Sequence, residues 1–174
     1  MMLDIAIDAD AEWDSSTDWE RLVRAAATSA IEESAFPQLV TGPRKTELSV
    51  RLSSDAEVHA LNAHWRGKDR ATNVLSFPMA EPYELEQADD DGPELLIGDV
   101  ILARGVCLAE AAEKGVSLEQ HATHLVVHGT LHLLGHDHDD EAAAADMERR
   151  EVRALARLGL ADPYAANANE GGQH

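Results

Sequence analysis

Three histidines at fixed intervals carry the clearest chemical signal in the chain: His128-Gly-Thr-Leu-His132, then Leu-Leu-Gly135, then His-Asp-His138. On a helix, residues four apart lie one turn above each other on one face, so His128 and His132 can both turn their imidazoles to one ion. Gly135 supplies a turn, through left-handed backbone torsions, that lets the chain double back and deliver His138. Three neutral nitrogen ligands with a position left for water describe catalytic zinc better than structural zinc, which is normally closed by four protein ligands. A single histidine on a helix is ordinarily a buried or surface imidazole with a local partner. On a helix as apolar as this one, the repeated pattern has little reason to occur unless a cation offsets the cost of taking the rings out of water. The expectation is one Zn2+ per chain, held by His128, His132 and His138 at a hydrolytic centre.

The second to third histidine spacing equals half of the metzincin pattern HExxHxxGxxH, but Gly129 stands where that pattern places its catalytic Glu. Proteolysis is therefore the less favoured use of the same device. His124, one turn before His128, is a candidate for a supporting or substrate-side role, and His121 a weaker one. His136 competes as a ligand on position alone, with His138 preferred by spacing. His59 and His64 read as helix-surface residues. Asp99, after Gly98 on a strand, is a tentative catalytic residue that could orient a histidine or take a proton from water, or else a structural residue of a bulge. Asp137 has the same two readings.

The elements that must position these groups follow from periodicity. Leu3, Ile5 and Ile7 alternate with polar or small residues as in a half-buried strand, and Leu48, Val50 and Leu52 do the same up to Ser53. A capping box at Thr17 and Glu20 opens a helix to about residue 34, and another at Ser54 and Glu57 opens a helix closed by Gly67. Asn73 to Phe77, stopped by Pro78, reads as a third strand, and Leu95 to Leu102, interrupted by Gly98-Asp99, as a fourth. Residues 80–94 are acidic and aperiodic, which predicts an exposed loop; Asp89, Asp90 and Asp91 lack the spacing of a calcium loop. An element from Arg104 to Glu113 follows. Ser117 and Gln120 cap the histidine helix, Leu118 to Leu134, and a charged helix runs from Glu141 to Leu158. The expected fold is α+β: a single domain over residues 1–160, with a mixed β-sheet of about four strands packed against helices around a central metal-binding histidine helix. Residues 161–174 read as a flexible polar tail.

A chain of 174 residues suits one domain. Its lone cysteine, Cys107, has no internal partner, and the N-terminus lacks the basic and apolar regions of a signal peptide. These point to a soluble, cytoplasmic protein with no membrane association. The 33 acidic against 14 basic residues, a net charge of -19, argue against broad electrostatic capture of nucleic acid. Within that acidic background, Arg66-Gly-Lys68-Asp69-Arg70 gathers three cations in five positions. Trp65 and Phe77 could stack on bases, but in a chain with seven aromatics a core role is expected for both.

The stretch from His128 to His138 resembles the signature of the bacterial YbeY endoribonucleases, HGxLHLxGYDH, with His136 in place of the usual Tyr. Arg66-Gly-Lys-Asp-Arg-Ala-Thr-Asn-Val-Leu-Ser-Phe-Pro78 is similar to the family's second block, and Gly98-Asp99 and the segment from Asp140 to Glu148 match in order. The resemblance spans roughly residues 3 to 160. It implies a zinc-dependent, single-strand-specific endoribonuclease that acts in ribosomal RNA processing, at the 3' end of 16S rRNA, and in ribosome quality control. Its partners would be single-stranded ribosomal RNA and ribosome or small-subunit proteins. By position the family's metal triad falls on His128, His132 and His138, and its arginine on Arg66. Arg66 would then fork onto a phosphate, with Lys68 and Arg70 steering the backbone; apart from the resemblance, a surface ion pair with Asp69 or Glu57 is its plain alternative. Two other functions compete: a metal-dependent hydrolase of peptides or amides, and a non-catalytic ribosome assembly factor with a structural metal.

Overall fold

A computed structural model of the protein describes residues 3–87 and 92–164. Asp89, Asp90 and Asp91, and the expected tail beyond residue 164, lie outside the described residues. Along the chain run β1 (Leu3–Ala9), α1 (Trp19–Glu32), α2 (Gln38–Thr41), β2 (Thr46–Ser53), α3 (Asp55–Arg66), β3 (Val74–Pro78), α4 (Pro82–Leu85), β4 (Leu95–Ala103), α5 (Arg104–Lys114), α6 (Leu118–Leu133) and α7 (Glu141–Arg157). The strands form one sheet in the order β1-β2-β4-β3, with β1, β2 and β4 parallel and β3 antiparallel to β4 at an edge. This is the expected α+β architecture, a mixed four-stranded sheet packed against helices.

The alternation of apolar residues sorts the sheet into two faces. Leu3, Ile5, Leu48, Val50, Leu52, Val100 and Leu102 point to the main core, where they meet α1, α6 and α7 through Val23, Ala27, Val126, Leu131 and Leu155. The other face carries a smaller cluster, Val58, Leu75, Ile101 and Ala103, in which α3 supplies Val58. Ser49 and Asp99 are register partners in β2 and β4, and the Ser49 hydroxyl bonds the Asp99 carboxylate. Both alternate with the residues of the main core, so Asp99 shares a face with Ile101 rather than with Val100.

Helix α6 lies directly on the sheet, and two glycines make that possible. A Cβ on Gly129 would stand 2.8 Å from Cγ1 of Val100, and one on Gly98 would stand 2.3 Å from the Phe77 carbonyl oxygen and 2.9 Å from Cδ2 of Leu133. Gly98 also has φ +145°, and beside it the β2–β4 register shifts between Glu47 and Leu48. The bulge therefore falls at Ile97, one residue before the expected Gly98-Asp99, which are themselves in register with Leu48 and Ser49.

Several local expectations need correction. The N-cap of α1 is Asp18, whose side chain accepts from Arg21 N–H, while Thr17 Oγ1 donates to Glu119 of α6 at 2.7 Å. A tertiary partner thus claims the residue that local spacing nominated. The acidic loop contains the single turn α4, closed by reciprocal bonds between Glu81 and Glu84 and anchored by Leu85, which is buried; one apolar residue is too little to produce a period. Trp65 is not a core residue but 66% exposed. Ser54 caps α3, and Ser117 with Gln120 forms the full capping box of α6.

Candidate metal centre

The ring sequence on α6 reads His121, His124, His128, His132, spaced three or four residues apart so that all four share one helix face. Successive ring centroids stand 6.2, 6.5 and 4.7 Å apart. The C-terminal pair is completed by the loop. Gly135 has φ +88°, and His136 N–H bonds back to the Leu131 carbonyl, so the chain reverses at the helix end. Asp140 then caps α7 through Ala143 N–H, which fixes the other end of the loop. Between these two ends His138 is placed 5.3 Å from His132 and 6.0 Å from His128 by ring centroid. One ligand nitrogen from each of His128, His132 and His138 lies within 4.8 Å of the other two.

The group fits a divalent transition metal by chemistry as well as position. Burial, and then the neighbouring His128 and His138, push His132 down to about 4, so the ring is neutral and its lone pair free at physiological pH. Three imidazoles crowded together without a cation would repel one another on protonation; neutral, they form a donor set suited to zinc. Among the described residues the convergent cluster counts three members, one fewer than the four that close a structural zinc site.

Behind the triad stands Glu151 of α7, almost fully buried. Its Oε1 lies 2.6 Å from Nδ1 of His128, and Oε2 accepts the Tyr164 hydroxyl at 2.5 Å, with Nε2 of His124 3.5 Å from Oε1. Burial by itself would raise this carboxyl, but the bonds from His124, His128 and Tyr164 outweigh it and hold it at about 2. An ionised Glu151 is an acceptor for an Nδ1–H of His128, the usual way a carboxylate sets the tautomer of a ligand histidine. Burial and Glu151 together raise Tyr164 far above the phenol range, so it donates and does not ionise.

Sequence reasoning missed Glu151 and Tyr164. A signal for the first was present: Met147, Glu151, Ala154 and Leu155 share the buried stripe of α7, and a glutamate in such a stripe needs a partner.

The remaining candidates separate. His124 meets Glu151 and Tyr164, and His121 bonds Glu110 at 2.8 Å, so both are tied into the interior side of α6. His136 turns away: its Nε2 accepts Ala35 N–H at 3.2 Å. Asp137 receives Asp139 N–H within the loop. Asp99, bonded to Ser49 on the α3 side of the sheet, is not brought to the imidazoles. Arg66 ends α3 at the free edge of β3, where Nη2 donates to the Ser76 carbonyl at 3.0 Å and the guanidinium lies 5.7 Å from the Phe77 ring centre. Its expected rivals, Asp69 and Glu57, are engaged by His59 and by Ser53 and Arg51. Cys107 is buried, and burial, then Glu110 and Asp55, raise its thiol to about 12, which removes it as a nucleophile.

Comparison with known proteins agrees over nearly the whole chain. The family described as "Endoribonuclease YbeY" matches residues 6–159. A protein of that name from Rhizorhabdus wittichii is 52% identical over 166 residues, covering 94% of this chain and 98% of the relative. One from Sphingopyxis alaskensis is 50% identical over 165 residues, with the same coverage. A solution structure from Thermotoga maritima shares the fold with TM-score 0.53 at 21% identity, covering 89% of this chain and 91% of that one.

Proposed function

The chain belongs to the YbeY endoribonuclease family, and on that ground we propose that it is a zinc-dependent, single-strand-specific endoribonuclease of ribosomal RNA processing. In this reading it matures the 3' end of 16S rRNA and serves ribosome quality control in the cytoplasm, together with ribosome or small-subunit proteins. Residues 1–160 form the catalytic domain and residues 161–174 an appended tail. The observation that carries the reading is the convergence of His128, His132 and His138 within 4.8 Å at the end of a helix anchored on the sheet.

His128, His132 and His138 would hold the Zn2+, with Glu151 setting the tautomer of His128. When bound, the ion supplies positive charge for a phosphoryl oxygen and lowers the pKa of water at the site, so hydrolysis can proceed near neutral pH. Arg66 keeps free N–H donors beyond the one spent on Ser76, and it clamps two non-bridging oxygens of the scissile phosphate and neutralises the charge that grows on them. Its bond to Ser76 and its place over Phe77 limit its rotamers, which reduces the entropy lost on gripping phosphate. Lys68 and Arg70 attract the strand. Asp99, held by Ser49, braces β2 against β4 beside the bulge at Ile97.

The peptidase alternative loses its general base on steric grounds. The position that would carry Glu is Gly129, where even a methyl group meets Val100. The structural-metal alternative would need a fourth protein ligand in the cluster.

The test is to incubate single-stranded and structured ribosomal RNA with metal-loaded protein and with the His128→Ala and Arg66→Ala variants, and to count bound metal. Cleavage by the unaltered protein only, with about one metal per chain, is expected. Equal cleavage by all three proteins would sink the nuclease reading.

A further inference from the structure

From the placement of Trp65 beside an anchored cationic loop, we propose that its indole is a stacking platform for an unpaired base of the RNA strand gripped by Arg66. The inference rests on the ribonuclease reading and adds a subsite to it.

Of the three tryptophans, Trp13 and Trp19 are 3% and 5% exposed and pack edge to face at 5.0 Å, whereas Trp65 is 66% exposed. A large aromatic left in water at a helix end contributes little to folding. Its orientation is nevertheless defined: the His64 ring stands 4.7 Å away and nearly perpendicular.

The loop that follows is built rather than loose. Gly67 ends α3 with φ +67°, and Lys68 N–H returns to the Asn62 carbonyl. The buried Asn62 side chain donates to the Arg70 carbonyl at 2.9 Å, and His59 meets Asp69 at 2.6 Å. These bonds fix the backbone of residues 66–70 against α3. Among the described residues no ion pair reaches Arg66, Lys68 or Arg70; other cations such as Arg21 and Arg153 also lack one, and what sets these three apart is that they fall within five consecutive positions. Three unpaired cations on a fixed loop, in a chain of net charge -19, complement a polyanion. An exposed indole one residue before Arg66 complements the face of a base. Backbone cations and an aromatic platform are the two components of single-strand binding, and a duplex, whose bases are already stacked, cannot use the second.

The structure also supplies the probe. Because Trp13 and Trp19 are buried, quenching of tryptophan emission by a surface ligand reports on Trp65 alone. The metal-loaded protein is titrated with a 2'-O-methyl oligoribonucleotide, with an abasic strand of the same length and with a duplex. Expected are quenching by the single strand but not by the abasic strand, and affinity for the single strand about tenfold lower or more in Trp65→Ala, with Trp65→Phe retaining most of it. The abasic strand should bind Trp65→Ala and the unaltered protein alike, since the charge is unchanged. Single-strand affinity equal in Trp65→Ala and the unaltered protein, or equal quenching by the abasic strand, would overturn the stacking proposal and leave the nuclease reading standing. Failure of the unaltered protein to bind any strand would overturn both.

Discussion

Oε1 of Glu151 and Nδ1 of His128 stand 2.6 Å apart, one from the buried stripe of α7 and the other from the histidine face of α6. A single contact thus joins the helix that carries two of the convergent imidazoles to the helix that follows the third. On the proposed reading, metal affinity then depends on α7, whose residues contribute no nitrogen to the cluster.

Substitution of Glu151 should therefore weaken metal binding without removing a ligand. Glu151→Gln still offers an acceptor to His128 but no charge, and a loss of about 10–100-fold in zinc affinity is expected. Tyr164→Phe, which removes only a donor to the same carboxylate, should lose less. Chelator competition measures both, and thermal melting of the metal-free proteins separates lost affinity from lost fold. Unchanged affinity in a folded Glu151→Gln protein would deny the carboxylate this role.

Acid should destabilise the metal-free protein in two windows. The folded pKa of His132, about 4, lies below the imidazole value of 6.5, so the unfolded chain binds the proton more readily. The stability this neutral ring contributes is complete above 6.5 and is lost as pH falls toward 4. Glu151, held at about 2 against 4.5, adds a second loss as pH falls below 4.5. Melting temperatures of chelator-treated protein should fall through the first window, and His132→Asn should flatten that slope. A slope of the opposite sign would show that burial is not what controls the ring.

Close packing of α6 on the sheet makes Gly129 intolerant of any side chain. Gly129→Ala places its methyl 2.8 Å from Val100 Cγ1, and overpacking of this kind costs about 1–3 kcal/mol, more than the helix propensity of Ala returns. Urea unfolding gives the number. The double variant with Val100→Ala should recover part of the loss, because the clash is with that side chain.

What the sequence made legible was whatever depends on near neighbours. The His128 and His132 pair follows from helix period, the reversal at Gly135 from one residue's backbone freedom, and the first two strands from alternation. What it hid depends on register and packing. Asp99 was a candidate for the site until the β2–β4 pairing placed it with Ser49, on the face away from Val100. Trp65 read as core because composition favours burial of tryptophan, but α3 buries only Val58 and Asn62 and leaves its last turn in water. Thr17 could cap α1 by spacing and instead bonds Glu119, a partner 102 residues away.

Arg66 and Asp99 both lie on the α3 side of the sheet, Arg66 over Phe77, the register partner of Asp99; they differ in that Ser49 engages Asp99 while Arg66 keeps free donors, and this predicts opposite behaviour. Arg66 is exposed, free of carboxylates among the described residues, and oriented by Ser76 and Phe77. On the proposed reading, Arg66→Ala removes the fork that grips the phosphate and should lower kcat by about 10²–10³-fold. Arg66→Lys should recover little, because an ammonium cannot meet two oxygens at once. Neither variant should change zinc affinity, since Arg66 does not touch the histidines. Asp99→Asn, by contrast, keeps an acceptor for Ser49 and should leave kcat within a few-fold while lowering stability by roughly 1 kcal/mol, the scale of one hydrogen bond. Single-turnover cleavage of a single-stranded RNA, set beside metal titration and urea unfolding, distinguishes the two. A collapse of kcat in Asp99→Asn with fold and metal intact would return that carboxylate to the chemistry and require the sheet to present it on the side where Ser49 now holds it away.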